Sequence, residues 1–443
     1  MRYAAAQRVA PNYVGADTLE PVKQVDRLLW MLTLAGLMIR VAAVFALNDY
    51  RTPLTAEYGI VAQNLAAGKG FVGGGWLGPE QPTALNTPLY PLFLAFWLWL
   101  GIPLPFLAAE LVQAVLSALI IYLIGKVVLE LINPAIAVLS AGLTVIYPPL
   151  IYFCKQISPA ILTAFFTILT LYVITRFFAQ PTARRAIVVG VVWGLGLLAE
   201  PILLAAAPGA VLIFWWRQST QERWRSAALL VIALALAGIV VLPWTVRNYQ
   251  VFNRFVPLKT SFGLNFWMGN NPNATGFLYT MDGTPMPATL PPERIAYLAS
   301  LNEAERYAVL QREALTWIAA HPDRFLALTV RRLGYLWLIS PTYRITGENI
   351  VEPAFFYLFR SLIQVPLLIL ALIGVGLSYR YHRHALWLFL WWLFAFTLPY
   401  AISVAGNTRY RLPVEPILIV LAAMTCYAAL ARWRLVERLV PAR

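Results

Sequence analysis

Apolar residues are grouped along this chain into runs of about 20, the length at which a helix crosses a bilayer. Irregular backbone at membrane depth would leave peptide groups without hydrogen-bond partners, so helices are expected to do the spanning. The pattern predicts an all-α polytopic membrane protein with about 10–12 transmembrane helices. The predicted spans are 28–47, 105–125, 134–153, 158–177, 186–200, 201–216, 226–245, 354–378, 385–404 and 411–431.

Composition supports this class. The 443 residues are 60% hydrophobic and only 12% charged, whereas ordinary soluble domains are about 25% charged. The formal net charge of +14 would suggest nucleic acid in a soluble protein. Here it is better explained by Lys and Arg in the short loops that fix membrane topology.

The run 88–102 is shorter than the other runs, and its interpretation decides the topology. If it does not cross, the basic loops fall on one side, as the positive-inside rule requires. We therefore predict a re-entrant or interfacial segment, with both termini in the cytoplasm of a bacterial inner (plasma) membrane. The basic residues concerned are Arg2, Arg8, Lys23, Arg27, Lys126, Arg184, Arg185, Arg217, Arg223, Arg225, Arg380, Arg383, Arg432, Arg434 and Arg438.

This topology divides the chain into four parts and leaves two polar segments outside. We predict a cytoplasmic N-terminal segment at 1–27 and an N-terminal transmembrane module at 28–245, which contains the first outer loop, 48–104. A second outer loop with interfacial helices spans 246–353, and a C-terminal transmembrane module spans 354–443.

The first outer loop contains a short predicted helix. Its apolar residues recur at spacings of three and four, which predicts an interfacial helix with one buried stripe. Glu57 stands at its start, Gly68 and Gly70 are expected to end it, and glycines 73–75 and later prolines predict irregular structure. The stripe consists of Tyr58, Val61, Ala62 and Leu65.

Further charged residues lie in or beside apolar runs. Arg40 and Glu110 lie inside predicted spans, which suggests a structural ion pair. In the second outer loop, Ser300 to Glu303 has the spacing of a capping box. Arg331 and Arg332 follow on an apolar segment, where they are expected to bind lipid phosphate or to reach the interface.

Cysteine and histidine give no metal or disulfide signal. Cys154 and Cys426 lie in different apolar runs and match no paired-ligand spacing. A DxD-like motif is absent as well. The sequence therefore assigns no metal ligand and no certain cofactor, and it leaves a divalent cation open.

Five stretches occur in an order that matches a known group of enzymes: EYGIVAQNLAAGKGF, PTALNTPLYPLFLA, PWTVRNYQVFNRFVPL, GLNFWMGNNPNATG and NTRYRLPVEPIL. With them the chain resembles bacterial membrane glycosyltransferases of the GT-C superfamily, family 39 type. That type includes protein O-mannosyltransferases and the aminoarabinose transferase of lipid A. The resemblance implies a GT-C-like helical bundle with interfacial helices in two outer loops.

The resemblance also implies an activity. The expected enzyme transfers a hexosyl or pentosyl group from a polyprenyl-phosphate donor to a glycan, lipid or protein acceptor in the cell envelope. The sugar anomer inverts, a carboxylate of the first outer loop acts as base, and basic residues hold the lipid phosphate. We take Glu57 as the base, with Asp49 and Glu200 as alternatives. The candidate substrate-binding residues are Tyr58, Lys155, Arg247, Asn248, Asn270, Asn271, Arg409, Tyr410 and Arg411.

The chain departs from the family pattern at three positions. Leu54 stands where the acid before the tyrosine usually lies, Ser158 replaces an acid before proline, and Glu200 replaces a basic residue before proline. One alternative function is therefore a catalytically inactive, GT-C-like structural subunit of a membrane complex. A lipid or sugar transporter is the other, although we find no internal repeat of the kind common in transporters.

Overall fold

The computed structural model describes residues 16–47, 50–53, 55–75, 78–338, 354–404 and 408–432. The structure is 78% helical. In the described part of the chain the helices are α1 (Ala16–Leu47), α2 (Ala56–Ala66), α3 (Leu89–Trp99), α4 (Pro105–Leu131), α5 (Pro134–Val145), α6 (Pro148–Tyr152), α7 (Ala160–Ala179), α8 (Ala183–Ala199), α9 (Leu203–Trp215), α10 (Thr220–Phe252), α11 (Ser261–Gly269), α12 (Pro292–Ser300), α13 (Glu303–Ala320), α14 (Pro322–Trp337), α15 (Ala354–Tyr381), α16 (Arg383–Ile402) and α17 (Glu415–Arg432).

The chain is a multi-pass membrane protein, as predicted. Among the described residues, seven helices are long and apolar enough to cross a bilayer: α1, α4, α7, α10, α15, α16 and α17. Three other predicted spans are occupied by shorter helices, namely α5 with 12 residues, α8 with 17 and α9 with 13. The predicted all-α polytopic class is confirmed.

The predicted span 134–153 is two helices, because a proline pair interrupts it. Tyr147 precedes Pro148 and takes an extended conformation, as residues before proline generally do. The break frees carbonyls at the end of α5, and Arg40 donates to those of Thr144 and Val145, each at 3.1 Å. It also donates to the Ser117 hydroxyl at 2.8 Å.

The ion pair predicted between Arg40 and Glu110 is therefore wrong. Both side chains are described, and the Arg40 guanidinium instead bonds to backbone carbonyls and a hydroxyl. Helix ends carry unpaired carbonyls, and arginine offers five donors to them. Carbonyls freed at the break after α5, rather than a carboxylate, therefore accept the hydrogen bonds of the buried Arg40 guanidinium.

Helices α8 and α10 pack closely because small residues line their contact. A Cβ atom on Gly190 would lie 2.5 Å from the carbonyl oxygen of Ala233, and one on Gly194 would lie 3.1 Å from that of Ala237. Such small residues four apart allow two membrane helices to bring their backbones together. This contact fixes the position of the residues that follow α8.

The 88–102 run forms α3, which doubles back onto α4. Its 11 residues span only about 16 Å, roughly half the hydrocarbon thickness. Gly101 then turns the chain with a φ of 63°, and the Tyr90 hydroxyl donates to Gln113 of α4 at 2.8 Å. The run therefore has the length and the return path of a segment that does not cross.

The predicted first outer loop, here called the first outer segment, contains α2 and a hairpin. Tyr58, Val61 and Ala62 of α2 are buried, as the stripe predicts. Irregular structure after Gly70 was predicted, but the chain there forms an antiparallel pair, β1 (Val72–Gly75) and β2 (Gly78–Pro82). Backbone pairing needs no side chain, so the side-chain pattern of this glycine-rich stretch does not reveal it.

The predicted second outer loop, here called the second outer segment, follows α10. This helix continues to Phe252 and so extends past the module boundary predicted at 245. Helices α11 to α14 form this segment. The predicted capping box is wrong: Ser300 ends α12, and Asn302 caps α13 by accepting from the Glu305 amide at 3.0 Å. Glu303 is thereby released for another role.

Glu303 joins the two outer segments. Its buried carboxylate accepts hydrogen bonds from the Thr83 hydroxyl (2.5 Å), the Ala84 amide (2.8 Å) and the Thr260 hydroxyl (2.5 Å). The Thr260 amide also donates to the Ala84 carbonyl at 2.8 Å. Hydrogen bonds to a charged group are among the stronger ones in proteins, so this carboxylate fixes one segment against the other.

Arg332 attaches the second outer segment to the membrane bundle. Its guanidinium donates to the carbonyls of Gly269 and Ala401 and, at 2.9 Å, to the Asn270 side chain. Burial lowers the pKa of Arg332 to about 10. The residue is fully buried, so its predicted contact with lipid phosphate or the interface is wrong.

We expect Glu303→Ala to lower the free energy of unfolding by about 3 kcal/mol, because three buried donors lose a charged acceptor. The measurement is thermal unfolding of the detergent-solubilised protein, followed by tryptophan fluorescence. Glu305→Ala is the matched control in the same helix. Glu305 makes an exposed ion pair with Arg254 at 3.5 Å, and its loss should change stability by no more than about 0.5 kcal/mol. Equal effects would contradict the bridging role of Glu303.

Candidate functional site

Glu57 lies in the first turn of α2, in the segment that the sequence predicts to be the first outer loop. Its side chain is half-buried, and α2 is held by Val61 and Ala62, which point into the core. In the described part of the chain, Glu57 accepts no hydrogen bond and forms no ion pair. A carboxylate in this position retains acceptor capacity for a ligand.

Tyr58 follows Glu57 and is buried against the bundle. Its ring meets that of Tyr90 edge-on, with centroids 5.5 Å apart. Burial raises the pKa of the Tyr58 hydroxyl above its ordinary value; Arg409 opposes this, while Glu57 and Glu200 add to it. The phenol therefore stays protonated and is within electrostatic range of both carboxylates and the guanidinium.

Arg409 and Tyr410 lie in a short 3-10 turn between α16 and α17. The Arg409 guanidinium lies over the Tyr410 ring, 4.9 Å from its centroid, and donates to its hydroxyl at 3.0 Å. The Tyr410 ring also packs on Tyr400 at 4.7 Å. Tyr410, Tyr58 and Glu57 hold the pKa of Arg409 above its ordinary value against the effect of burial.

Glu200 follows the last residue of α8 in an extended conformation. Its carboxylate forms an ion pair with the ammonium group of Lys259, which belongs to the second outer segment. The pair is partly exposed. Because Glu200 interacts electrostatically with Tyr58 and Tyr400, it belongs to the same group of side chains as Glu57.

Tyr307 of α13 completes this group from the other side. Burial is the largest cause of the raised pKa of Tyr307. The charge of Glu303 is the next cause, and that of Glu57 contributes as well. Glu57 is therefore enclosed between the two outer segments and the turn before α17. We call this set the outer cluster: Glu57, Tyr58, Glu200, Lys259, Tyr307, Tyr400, Arg409 and Tyr410.

The outer cluster combines two carboxylates, two cations and four phenols in one cleft. A carboxylate can accept a proton from a hydroxyl group. Arginine and lysine can stabilise an oxyanion or a phosphate. The arrangement suits a reaction in which a hydroxyl loses its proton while negative charge develops on a departing group.

Lys155 lies on a turn near the outer cluster. Gln113 holds this turn by donating to the carbonyls of Cys154 (2.8 Å) and Gln156 (3.0 Å). The same Gln113 accepts from Tyr90, whose ring packs on Tyr58. The Lys155 ammonium lies 5.2 Å from the centre of the Tyr152 ring.

An open groove of about 610 Å³ lies beside the outer cluster, with mostly apolar walls from α3, α8 and α10. Two cations line it, Lys69 and Arg247. The Thr87 hydroxyl donates to the Ala199 carbonyl at 2.8 Å, between groove-lining Leu198 and Glu200 of the outer cluster. Only one residue separates Leu198 of the groove from Glu200 of the outer cluster, so the two sites are adjacent.

Arg247 also clamps the first outer segment. Its guanidinium donates to the carbonyls of Thr83 (2.7 Å) and Phe71 (2.9 Å). It lies among the rings of Phe71, Trp244 and Phe252, between 5.0 and 5.9 Å from their centroids. This arginine fixes the hairpin over the groove with part of its donor capacity.

Comparison with known proteins supports a family relationship for part of the chain. Residues 86–246 match the family model described as dolichyl-phosphate-mannose-protein mannosyltransferase. The match is less than half of the chain and contains Lys155 and Glu200, but neither Glu57 nor Arg409. No curated protein matches the chain in sequence.

Solved structures match over nearly the whole chain. The oligosaccharyltransferase AglB from Archaeoglobus fulgidus, in complex with an inhibitory peptide and a dolichol-phosphate, matches at a TM-score of 0.56 and 14% identity, covering 94% of this chain and 52% of that one. The same organism's enzyme in complex with Zn and sulfate matches at 0.55 and 14%, covering 93% and 50%. The chain has the GT-C fold.

The chain spans about half the length of these AglB structures. ArnT from Cupriavidus metallidurans bound to undecaprenyl phosphate matches at a TM-score of 0.43 and 13% identity, covering 91% of this chain and 78% of that one. The family-model match and the AglB matches confirm the predicted resemblance to the GT-C superfamily.

Three amides that the sequence suggested for substrate binding are used by the GT-C fold itself. Asn248 donates to the Val256 carbonyl at 3.0 Å. Asn270 donates to Phe266 and Ile402, and Asn271 to Trp267 and Met268. All three are buried, and each side chain donates to backbone carbonyls of the fold.

Arg411 likewise has a structural role. It is buried and pairs with Glu415 at 2.7 Å while donating to the Leu336 carbonyl at 2.9 Å. It therefore joins α14 to the start of α17 and is not available to a lipid phosphate. Asp49, the alternative base, lies outside the described residues.

No group of three His, Cys, Asp or Glu that could hold a metal ion occurs among the described residues. The described cysteines, Cys154 and Cys426, are not paired.

Three members of the outer cluster escaped the sequence analysis: Lys259, Tyr307 and Tyr400. Lys259 carried a weak signal, because it directly follows the quoted stretch PWTVRNYQVFNRFVPL, which already contains two arginines. Tyr307 gave no signal of its own, because an aromatic residue in a predicted interfacial helix is ordinary. Tyr400 lies at the end of a predicted span, where an aromatic residue is ordinary.

Proposed function

We propose that this protein is a GT-C glycosyltransferase that moves a sugar from a polyprenyl-phosphate donor to an acceptor hydroxyl at the outer membrane face. The observation that carries the proposal is Glu57, a half-buried carboxylate with no described partner, enclosed with Tyr58 and Arg409 between the two outer segments. The dolichol-phosphate complex of AglB and the mannosyltransferase description of the family model support the donor class.

In the proposed reaction Glu57 accepts the proton of the acceptor hydroxyl. The oxygen then attacks the anomeric carbon from the side opposite the phosphate, and the bond from that carbon to the phosphate oxygen breaks. The lipid phosphate departs with the bonding electron pair, and the anomer is inverted. Arg409 and Lys155 are proposed to stabilise the charge of the departing phosphate.

Glu200 is the weaker choice for the base. Its carboxylate pairs with Lys259, so accepting a proton would cost it that attraction. We propose that the Glu200–Lys259 pair positions the sugar or the second outer segment instead. Lys259 then also offsets the electrostatic repulsion between the two carboxylates of the outer cluster.

The groove beside the outer cluster is proposed to hold the donor lipid. Its apolar walls suit an isoprenoid chain, and Lys69 lies where the chain would meet the phosphate. In the described part of the chain Lys69 forms no ion pair. Leu198 and Glu200 are two residues apart, so a lipid in the groove can present its sugar to Glu57.

A catalytically inactive structural relative is the second candidate. Ser158 favours it, because this buried hydroxyl stands where the resemblance implies an acid. The Glu200–Lys259 and Arg411–Glu415 pairs also neutralise charges within the fold. The two candidates differ in whether the protein releases polyprenyl phosphate from a donor.

We expect Glu57→Gln to lower transfer by at least about a hundredfold, because a neutral amide cannot act as the base. The assay follows polyprenyl phosphate release by mass spectrometry, with purified protein and a panel of polyprenyl-phosphate hexoses and pentoses. Glu313→Gln is the matched control: it removes a half-exposed ion pair with Arg294 in the second outer segment. It should retain full activity.

Full activity in Glu57→Gln would remove Glu57 from the role of base and direct attention to Asp49. Release of no lipid phosphate by the wild-type protein from any donor in the panel would favour the structural candidate. Both variants should unfold at the temperature of the wild-type protein, which separates loss of chemistry from loss of fold.

We expect Leu92→Trp to raise the KM for a full-length polyprenyl donor about tenfold, because the indole fills the groove that Leu92 lines. A donor with only two isoprene units should be affected much less. Leu100→Trp is the matched control, since Leu100 follows the other end of the same short helix and is exposed. Equal effects on both donors, or in both variants, would contradict the lipid path.

The proposed outer location rests on the basic loops, which the positive-inside rule assigns to the cytoplasmic side. A single cysteine at Thr182, in a background with Cys154 and Cys426 replaced by serine, should react with an impermeant maleimide only after cells are opened. A cysteine at Thr284, in the second outer segment, should react in intact cells. The reverse pattern would place the outer cluster on the cytoplasmic side.

A further inference from the structure

A second cavity lies at the end of α8 that is farthest from the outer cluster. It encloses about 380 Å³ between the last turns of α7 and the first turns of α8. The 17 residues of α8 separate it from Glu200 by about 25 Å. The cavity is therefore distinct from the proposed transferase site.

Three arginines line this cavity and differ in how they are held. Arg185 donates to the carbonyls of Arg176 (2.7 Å) and Gln180 (3.1 Å), which fixes it at the end of α7. Arg176 pairs with Glu130 at 2.8 Å. Arg184 is exposed and makes no hydrogen bond or ion pair in the described part of the chain. Three cations against one carboxylate leave a net positive site.

The opposite wall of the cavity is apolar. Tyr172 and Val173 lie on α7 about one turn deeper than Arg176, and Val188 lies one turn into α8. Helix α7 is a candidate membrane span, so these side chains lie toward the hydrocarbon. The site thus offers cations at the level of lipid headgroups and an apolar surface just below.

We propose that this cavity binds the phosphate headgroup of an anionic phospholipid. Arginine forks bind phosphate oxygens through paired hydrogen bonds, and basic pockets between transmembrane helices are suited to anionic headgroups. Arg184 contacts the phosphate directly, Arg176 and Arg185 add positive charge, and the first methylene groups of the lipid lie on Tyr172, Val173 and Val188.

The test measures lipid retained by the full-length protein in detergent, by native mass spectrometry with phosphatidylglycerol or phosphatidylcholine added at equal concentration. We expect the wild-type protein to prefer phosphatidylglycerol. Arg184→Gln should lower phosphatidylglycerol retention about fivefold, as expected for the loss of one cation near a headgroup. Arg225→Gln is the matched control, because Arg225 is an exposed basic residue of the next loop that does not line the cavity.

Equal retention of the two lipids by the wild-type protein would overturn the proposal, and so would equal losses in Arg184→Gln and Arg225→Gln. A third arm adds inorganic phosphate at millimolar concentration. If it displaces phosphatidylglycerol completely, the site binds soluble phosphate and the lipid assignment fails. If the lipid remains bound, the apolar wall contributes as proposed. Arg184 makes no described contact, so Arg184→Gln is expected to fold normally.

Discussion

The outer end of this protein depends on one buried carboxylate, Glu303. Its oxygens accept hydrogen bonds from Thr83 and Ala84 of the first outer segment and from Thr260 of the second. These segments come from distant parts of the chain and share apolar clusters. A charged acceptor shared by three donors adds directional hydrogen bonds to this apolar packing. The cleft that contains Glu57 exists because this contact fixes both of its walls.

A second rule concerns arginine. Arg40, Arg247, Arg332 and Arg411 all lie at or near membrane depth, and each donates to backbone carbonyls. Broken helices and re-entrant turns leave carbonyls that water cannot reach, and arginine supplies five donors in a fixed plane. Most of the buried cations of this fold therefore complete the backbone. Arg409 is different, because its described contact is a tyrosine within the outer cluster.

This distinction separates structural from candidate catalytic residues. Glu57, Tyr58, Glu200, Arg409 and Tyr410 were all suggested by the sequence, and the fold brings them together from α2, the end of α8 and the turn before α17. Asn248, Asn270, Asn271 and Arg411 were suggested on equal grounds, yet their donors are used by turns and helix ends. Both the residues brought together and those used by the fold are polar or charged and share the same predicted side of the membrane. Only the partner of each side chain tells them apart.

The sequence by itself determined the class of the protein and predicted the side on which its polar residues lie. Apolar runs of bilayer length and repeated basic loops fix these features, because lipid imposes them on every helix separately. The sequence also located α2 from its spacing, whereas 134–153 was predicted as one span and is two helices. Tertiary structure decided the rest: the hairpin after Gly70, the release of Glu303 from a capping role, and the pairing of Glu200 with Lys259. These depend on contacts between residues far apart in the chain, which no local pattern of hydrophobicity or charge encodes.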